Sequence, residues 1–146
     1  MTRPGDVLAG VHRALRPRGR FVAEFGGHGN VAAIVTAMHA ILERRGIETD
    51  ARPWYFPTTD AYAALLREHG FLVRELALIH RPTPLPTGIE NWLATFADPY
   101  FCALPAAERA AARSDAARLL APALRAADGT WIADYVRLRV AATRTT

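Results

Sequence analysis

The sequence predicts an α/β fold built from three strands and flanking helices. Apolar runs rich in branched and aromatic side chains, typical of buried strands, occur at residues 20–25 and 71–79. Between them, apolar residues recur every three or four positions, which is typical of amphipathic helices. Residues 131–142 alternate apolar and polar side chains, as a strand with one solvated face does.

A helix is predicted ahead of the first strand, over residues 6–15, and a turn at residues 16–19 joins the two. Its apolar positions have helical spacing: Val7, Leu8, Val11 and Leu15. The strand ends at a glycine-rich turn, residues 26–29, and Asn30 is a favourable N-cap for a second helix that Gly46 ends. The apolar face of that helix consists of Val31, Ile34, Val35, Met38, Ile41 and Leu42.

The remaining chain is predicted to hold a loop, three helices and two strands. In the loop, residues 47–57, two prolines bracket three aromatic side chains. The helices are expected from Thr58 or Thr59 to Gly70, from Ile89 to Phe96, and from Ala106 to Ala121, before Pro122. The second strand starts directly after Gly70, and the third follows a turn at Asp128 and Gly129.

The connections between strands indicate how the sheet is assembled. A long helical crossover joins residues 20–25 to residues 71–79, so these two strands should run parallel. The last strand is reached late and is half polar, which favours an antiparallel position beside them. We expect one domain over residues 1–146, a length typical of single domains.

Composition excludes several classes of function. The net charge is +4, but the basic residues are spread along the chain, with one tight group at Arg16, Arg18 and Arg20. Nucleic acid binding usually needs a basic stripe, so no nucleic acid partner is expected. No signal-peptide pattern or long apolar run is visible, so neither export nor a membrane partner is expected. A single cysteine fits a reducing compartment, and we expect the cytoplasm.

Other chemistries lack the residues they need. The chain has no lysine, which excludes a phosphate-loop lysine and a Schiff base. The one serine, Ser114, has no nucleophile-elbow pattern around it. The five histidines never fall at metal-ligand spacing, and we expect no metal site.

The spacing of residues 27–32 also matches the dinucleotide-binding fingerprint. Gly27, Gly29 and Ala32 fit its spacing after a strand, and Glu48 and Asp50 follow about twenty residues later. In that fingerprint the acidic residue ends a second strand, whereas no apolar run precedes these two. A tight strand-to-helix turn is therefore the favoured interpretation, and a dinucleotide-binding fragment is an alternative.

Five segments, in order along the chain, resemble class I methyltransferases that use S-adenosylmethionine (SAM). Residues 11–22 (VHRALRPRGRFV) resemble the helix, turn and fifth strand of that family, and residues 65–71 (LLREHGF) resemble the helix end before its sixth strand. Residues 26–30 (GGHGN), 53–57 (PWYFP) and 131–139 (WIADYVRLR) are similar to the small-molecule group related to trans-aconitate methyltransferase. Arg18 departs from the family, which usually has glycine there.

The resemblance implies a partial Rossmann-like methyltransferase sheet containing the family's fifth, seventh and sixth strands. In the family, SAM lies on a glycine-rich loop after the first strand, with an acidic residue after the second strand. Those elements would precede residue 6, so we expect the amino-terminal SAM-binding half to be absent and the chain alone to bind no SAM and be inactive. The strand at residues 20–25 then has an open edge.

The open edge predicts a partner. This partner is expected to be a second copy in a homodimer, a separate amino-terminal half, or residues encoded upstream that are missing from this sequence. A non-catalytic interaction module that pairs through this edge is the alternative from another functional class.

The resemblance also implies which residues lie at the carboxyl rim of the sheet, where ligands of open α/β sheets bind. His28 is the candidate catalytic residue, because histidine exchanges protons near neutral pH. Candidate contacts to a small-molecule acceptor are Trp54, Tyr55, Phe56, Arg81 and Trp92, with Arg52 nearby in the sequence. Candidate cofactor contacts are Glu24, Gly26 and Gly27.

Overall fold

The structure, a computed structural model, describes residues 3–48 and 53–146. Its residues group into two compact units. Of the described residues, unit 1 contains 3–30, 54–81 and 136–146, and unit 2 contains 31–48, 53 and 82–135. Asp50 and Arg52, which the sequence analysis singled out, lie outside the described residues. The expectation of a single domain stays a prediction.

Unit 1 consists of a three-stranded sheet with two helices. Its elements are α1 (Pro4–Ala14), β1 (Arg20–Gly26), α3 (Thr59–Glu68), β2 (Phe71–His80) and β5 (Val136–Arg144). The sheet order is β1-β5-β2, and β5 runs antiparallel to both neighbours. β1 and β2 therefore run in the same direction without pairing to each other. This confirms the predicted α/β class and the order of fifth, seventh and sixth strands.

The register of the sheet follows from the alternation in β5. Leu138 lies between Phe25 of β1 and Leu78 of β2, whereas Arg139 lies between Glu24 and Ala77. The buried apolar side chains thus share one face of the sheet, whereas the other face carries charged side chains together with some apolar ones, as the period of two requires.

Helices α1 and α3 pack on the apolar face of the sheet and form the core of unit 1. Its fully buried members are Leu8, Tyr62, Leu66, Phe71, Leu138, Val140 and Ala142. The opposite face, which we call the open face, carries exposed apolar side chains, with Val22 60% and Leu72 49% exposed. Over the described residues, β1 pairs with β5 alone, so its other edge has no strand beside it.

Unit 2 is mainly helical. Its elements are α2 (Ala32–Glu43), β3 (Thr83–Pro84), α4 (Gly88–Phe96), α5 (Asp98–Phe101), α6 (Ala106–Leu124) and β4 (Ile132–Ala133). α6 packs against both α2 and α4, and β3 pairs antiparallel with β4. None of the described helices is long and apolar enough to cross a membrane.

Several element boundaries differ from the predicted ones. The predicted strand at residues 131–142 is divided in two, because Asp134 turns out of the strand and its backbone oxygen accepts from Val31 N at 3.0 Å. α6 continues to Leu124, three residues beyond the predicted end. Pro122 lies in its last turn, where a missing N–H removes a single helical hydrogen bond.

Asn30 is not the N-cap of α2, so that prediction was wrong. The helix begins at Ala32, with Val31 in the cap position. The Asn30 side chain is 5% exposed and its Oδ1 accepts from the backbone N–H of Val136 at 2.9 Å. Asn30 therefore joins the glycine turn to the start of β5.

Candidate functional site

The glycine turn at the carboxyl end of β1 is tightly filled by unit 1's own side chains. A Cβ atom added at Gly26 would lie 2.5 Å from Phe56 Cε1 and 2.8 Å from Asn30 Nδ2. One added at Gly27 would lie 2.3 Å from Leu78 Cδ2. Glycine is favoured at both positions because a side chain there would have to displace Phe56, Asn30 or Leu78.

Three backbone hydrogen bonds hold the turn in place. Gly27 N donates to Val136 O at 3.0 Å, and Asn30 N donates to Gly27 O at 3.0 Å. His28 N donates to Pro57 O at 2.9 Å, which ties the turn to the residues just before α3. The His28 side chain is exposed on this fixed turn. An exposed imidazole on a rigid support can exchange protons with a ligand without prior rearrangement.

The start of α2, in unit 2, is held by a carboxylate. Val31 has a φ of 49°, a left-handed conformation that branched residues rarely adopt. Asp134 Oδ2 accepts from Ala33 N at 2.8 Å, and the Asp134 backbone oxygen accepts from Val31 N. The carboxylate thus takes a first-turn N–H that a bound anion would otherwise use.

The aromatic residues between Pro53 and Pro57 have two roles. Trp54 and Phe56 are neighbours, with ring centroids 5.7 Å apart, and Phe56 covers Gly26. Tyr55 instead packs against the core of unit 1. Burial raises the pKa of Tyr55, and burial together with repulsion from the Tyr55 phenolate, once that phenol ionises, raises the pKa of Tyr62 to about 12. Both phenols are therefore protonated at neutral pH.

Glu24 lies on the open face between two arginines. Arg81 Nη1 donates to Glu24 Oε1 at 2.8 Å, and Arg139 donates to Glu24 Oε2 from Nε at 3.2 Å and Nη2 at 3.1 Å. The hydrogen bond from Arg139, followed by the charges of Arg139 and Arg81, holds the pKa of Glu24 below its usual value. The resulting cluster carries net positive charge and stays ionised at neutral pH.

The structure brings most of the predicted residues into one unit. Unit 1 contains Glu24, Gly26, Gly27, His28, Trp54, Tyr55, Phe56 and Arg81. Trp92 belongs to unit 2, where its Nε1 donates to the Tyr135 hydroxyl at 2.6 Å. No group of His, Cys, Asp or Glu that could hold a metal ion occurs within residues 3–48 and 53–146.

Two residues that shape these sites, Arg139 and Asp134, were not predicted as site residues from the sequence. Arg139 was interpreted as an exposed strand residue, and its position opposite Glu24 follows from the register of β1 and β5. Asp134 was placed inside a strand, and its contact with Ala33 spans 101 residues of sequence. The Arg139 contact is detectable in principle by aligning the charged faces of two predicted strands, whereas Asp134 has no local signal.

Comparison with known proteins gives two informative similarities. No family model matches the chain. An uncharacterized methyltransferase of Schizosaccharomyces pombe is 39% identical over 140 residues, which include 93% of this chain and 54% of that protein. The chain thus spans about half the length of the curated relative it matches. This homology supports a methyltransferase family for the chain.

The fold also has a counterpart among solved structures. A crystal structure of a candidate methyltransferase from Bacillus halodurans matches 99% of this chain and 64% of that one, with a TM-score of 0.53 and 16% sequence identity. At this identity the match concerns the fold alone. The chain therefore shares its fold with about two thirds of that structure.

Proposed function

We propose that the chain is part of a SAM-dependent methyltransferase that acts on a small-molecule acceptor in the cytoplasm. The observation that carries this proposal is the sheet order, in which β5 lies antiparallel between two strands of the same direction. The 39% identity to a methyltransferase supports it further. The trans-aconitate-like subgroup remains part of the proposal, resting on the resemblance of residues 26–30, 53–57 and 131–139.

The residues of the glycine turn do not fit a cradle for SAM. The space at Gly26 and Gly27 is occupied by Phe56, Asn30 and Leu78. Glu24, the acidic residue of the rim, is already paired with two arginines. We therefore propose that the methyl donor is held mainly by polypeptide that adds to the free edge of β1, either the amino-terminal half of the fold or a second copy.

The proposed contribution of unit 1 is to bind and orient the acceptor. His28 is exposed on a rigid turn at the carboxyl end of β1, where it can accept a proton or a hydrogen bond from the acceptor. Trp54 and Phe56 provide an aromatic surface beside the turn, and Arg81 provides a positive charge on the open face. Orientation and exclusion of water are the main catalytic requirements of methyl transfer.

Two titrations with radiolabelled SAM test the proposal. The chain alone is expected to show no saturable SAM binding at micromolar concentration. A chimera, in which the chain replaces the matching segment of the fission yeast relative, is expected to fold and bind SAM. Tight binding by the chain alone contradicts the assignment of the donor site, and a folded chimera without SAM binding contradicts the methyltransferase assignment.

The free edge of β1 supports a second candidate function, a non-catalytic interaction module. Val22 is 60% exposed beside that edge, and an exposed edge strand is a template for pairing. Size-exclusion chromatography with light scattering addresses this alternative, because a pairing module should form dimers and a clean monomer weakens the idea.

The dinucleotide-binding alternative has less support. The space beside Gly27 is taken by the Leu78 side chain, and the N–H of Ala33 at the start of α2 is already bonded to Asp134. A pyrophosphate would compete with that carboxylate. Binding of NAD that is lost on substitution of Gly29 would favour this alternative.

A further inference from the structure

A cleft of about 660 Å³ lies in unit 2 where the end of α2 faces α6. It is lined by Ile41, Arg44, Arg45, Asp115, Arg118 and Leu119. This volume is within the range of about 300–1,000 Å³ that small-molecule sites occupy. α2 has 12 residues, so the cleft lies about 18 Å along the helix from its start.

The cleft is positively charged. Three guanidinium groups surround one carboxylate, which leaves two positive charges. Asp115 accepts hydrogen bonds from Arg45 and Arg118, and the Arg45 contact is the main reason that the pKa of Asp115 is lowered. Asp115 therefore stays ionised at neutral pH and holds both guanidinium groups in place.

The three arginines differ in how exposed their side chains are, and therefore in how readily each can bind a ligand. The Arg45 side chain is 20% exposed, and it also donates to the backbone oxygen of Ile41 at 3.3 Å, which makes it a structural link. The Arg118 side chain is 77% exposed, and Arg44 is also exposed. Each guanidinium has five N–H donors, more than a single shared carboxylate can accept, so donors remain for a second anion.

We propose that this cleft binds a phosphate-bearing small molecule, with the phosphate on Arg44 and Arg118 and the organic part against Leu119. A phosphate monoester carries close to two negative charges at neutral pH, which matches the two positive charges of the cleft. Guanidinium groups bind such oxygens through paired hydrogen bonds. Leu119 is 39% exposed and offers the apolar wall that the organic part needs.

An NMR titration of the full chain tests the site, with inorganic phosphate and pyrophosphate as probes at constant ionic strength. Saturable amide shifts are expected at residues 41–47 and 115–119. Arg44→Gln and Arg118→Gln are each expected to weaken pyrophosphate binding about tenfold, because each removes charged hydrogen bonds. Arg67→Gln on α3 makes the same change of charge on unit 1 and is expected to leave the dissociation constant within about twofold.

Three results would overturn the proposal that the cleft is a phosphate site. Shifts that rise without saturation up to tens of millimolar would show only diffuse attraction. Equal weakening by Arg67→Gln would show that net charge, and not the cleft, controls binding. Binding of succinate, a dicarboxylate whose charge is close to that of inorganic phosphate, as tightly as inorganic phosphate would overturn the assignment to phosphate. Circular dichroism of each single variant establishes that loss of binding is not loss of fold.

Discussion

Arg18 and Val31 share a backbone conformation that side chains other than glycine rarely adopt. Their φ angles are 63° and 49°. Val31 is 1% exposed, so burial of its side chain offsets the strain. Arg18 is exposed, and its compensation is backbone pairing: Arg18 N donates to Arg144 O at 3.1 Å, and Arg144 N donates to Gly19 O at 2.9 Å.

Replacing Arg18 with glycine should stabilise the protein. Glycine adopts positive φ without a clash, and the net gain after its greater chain entropy is expected to be about 0.5–1 kcal/mol in the free energy of unfolding. Urea denaturation measures the difference. Arg16→Gly is the control: this neighbouring turn residue lacks a positive φ, so the substitution should lower stability. A lower stability for Arg18→Gly would contradict the claim that the positive φ of Arg18 costs stability.

Among the elements, β5 was the most predictable from sequence and the start of α2 the least. The alternation of apolar residues with arginines predicts both the strand and its buried face, which contains Val136, Leu138 and Val140. Asn30 follows a glycine turn and matches a local capping pattern, yet its partner Val136 lies 106 residues away. Local patterns predict elements whose stability is local, and they fail where a distant backbone group competes for the same side chain.

The candidate site also has features that the sequence predicts and features that it does not. The glycine turn and the position of His28 at the end of β1 were predictable, because both follow from one apolar run and its break. The pairing of Glu24 with Arg81 and Arg139 was not, because it needs the register of three strands. The sequence therefore predicts the position of the glycine turn but not the arginines that pair with Glu24.

The Glu24 cluster makes sheet stability depend on pH. The pKa of Glu24 is lowered in the folded protein, so its contribution is complete above the unfolded pKa and is lost as pH falls through the folded value. Wild type is expected to be more stable than Glu24→Gln at pH 7, and the difference should shrink as pH falls through the lowered folded pKa of Glu24. Thermal unfolding across this range measures it. A difference that is independent of pH would exclude the ionised carboxylate as its source.

At the scale of the whole molecule, the open face and free edge of unit 1 predict self-association. Replacing Val22 with lysine places a charge on β1, a common natural protection of edge strands. Light scattering against concentration is expected to show weaker association for Val22→Lys than for wild type. Val7→Lys, at a 42% exposed position on α1, is the matched control and should change association little. Equal effects of both variants would exclude β1 as the contact.

The central position of β5 also bears on how the chain is synthesised. Glu24 and Arg139, which are neighbours in the sheet, are separated by 115 residues in the chain. Both outer strands leave the ribosome before the strand that joins them, so neither can pair with β5 until β5 emerges. Such a sheet folds slowly because distant segments must meet first, and β1 and β2 are the segments that a chaperone would have to shield until β5 emerges.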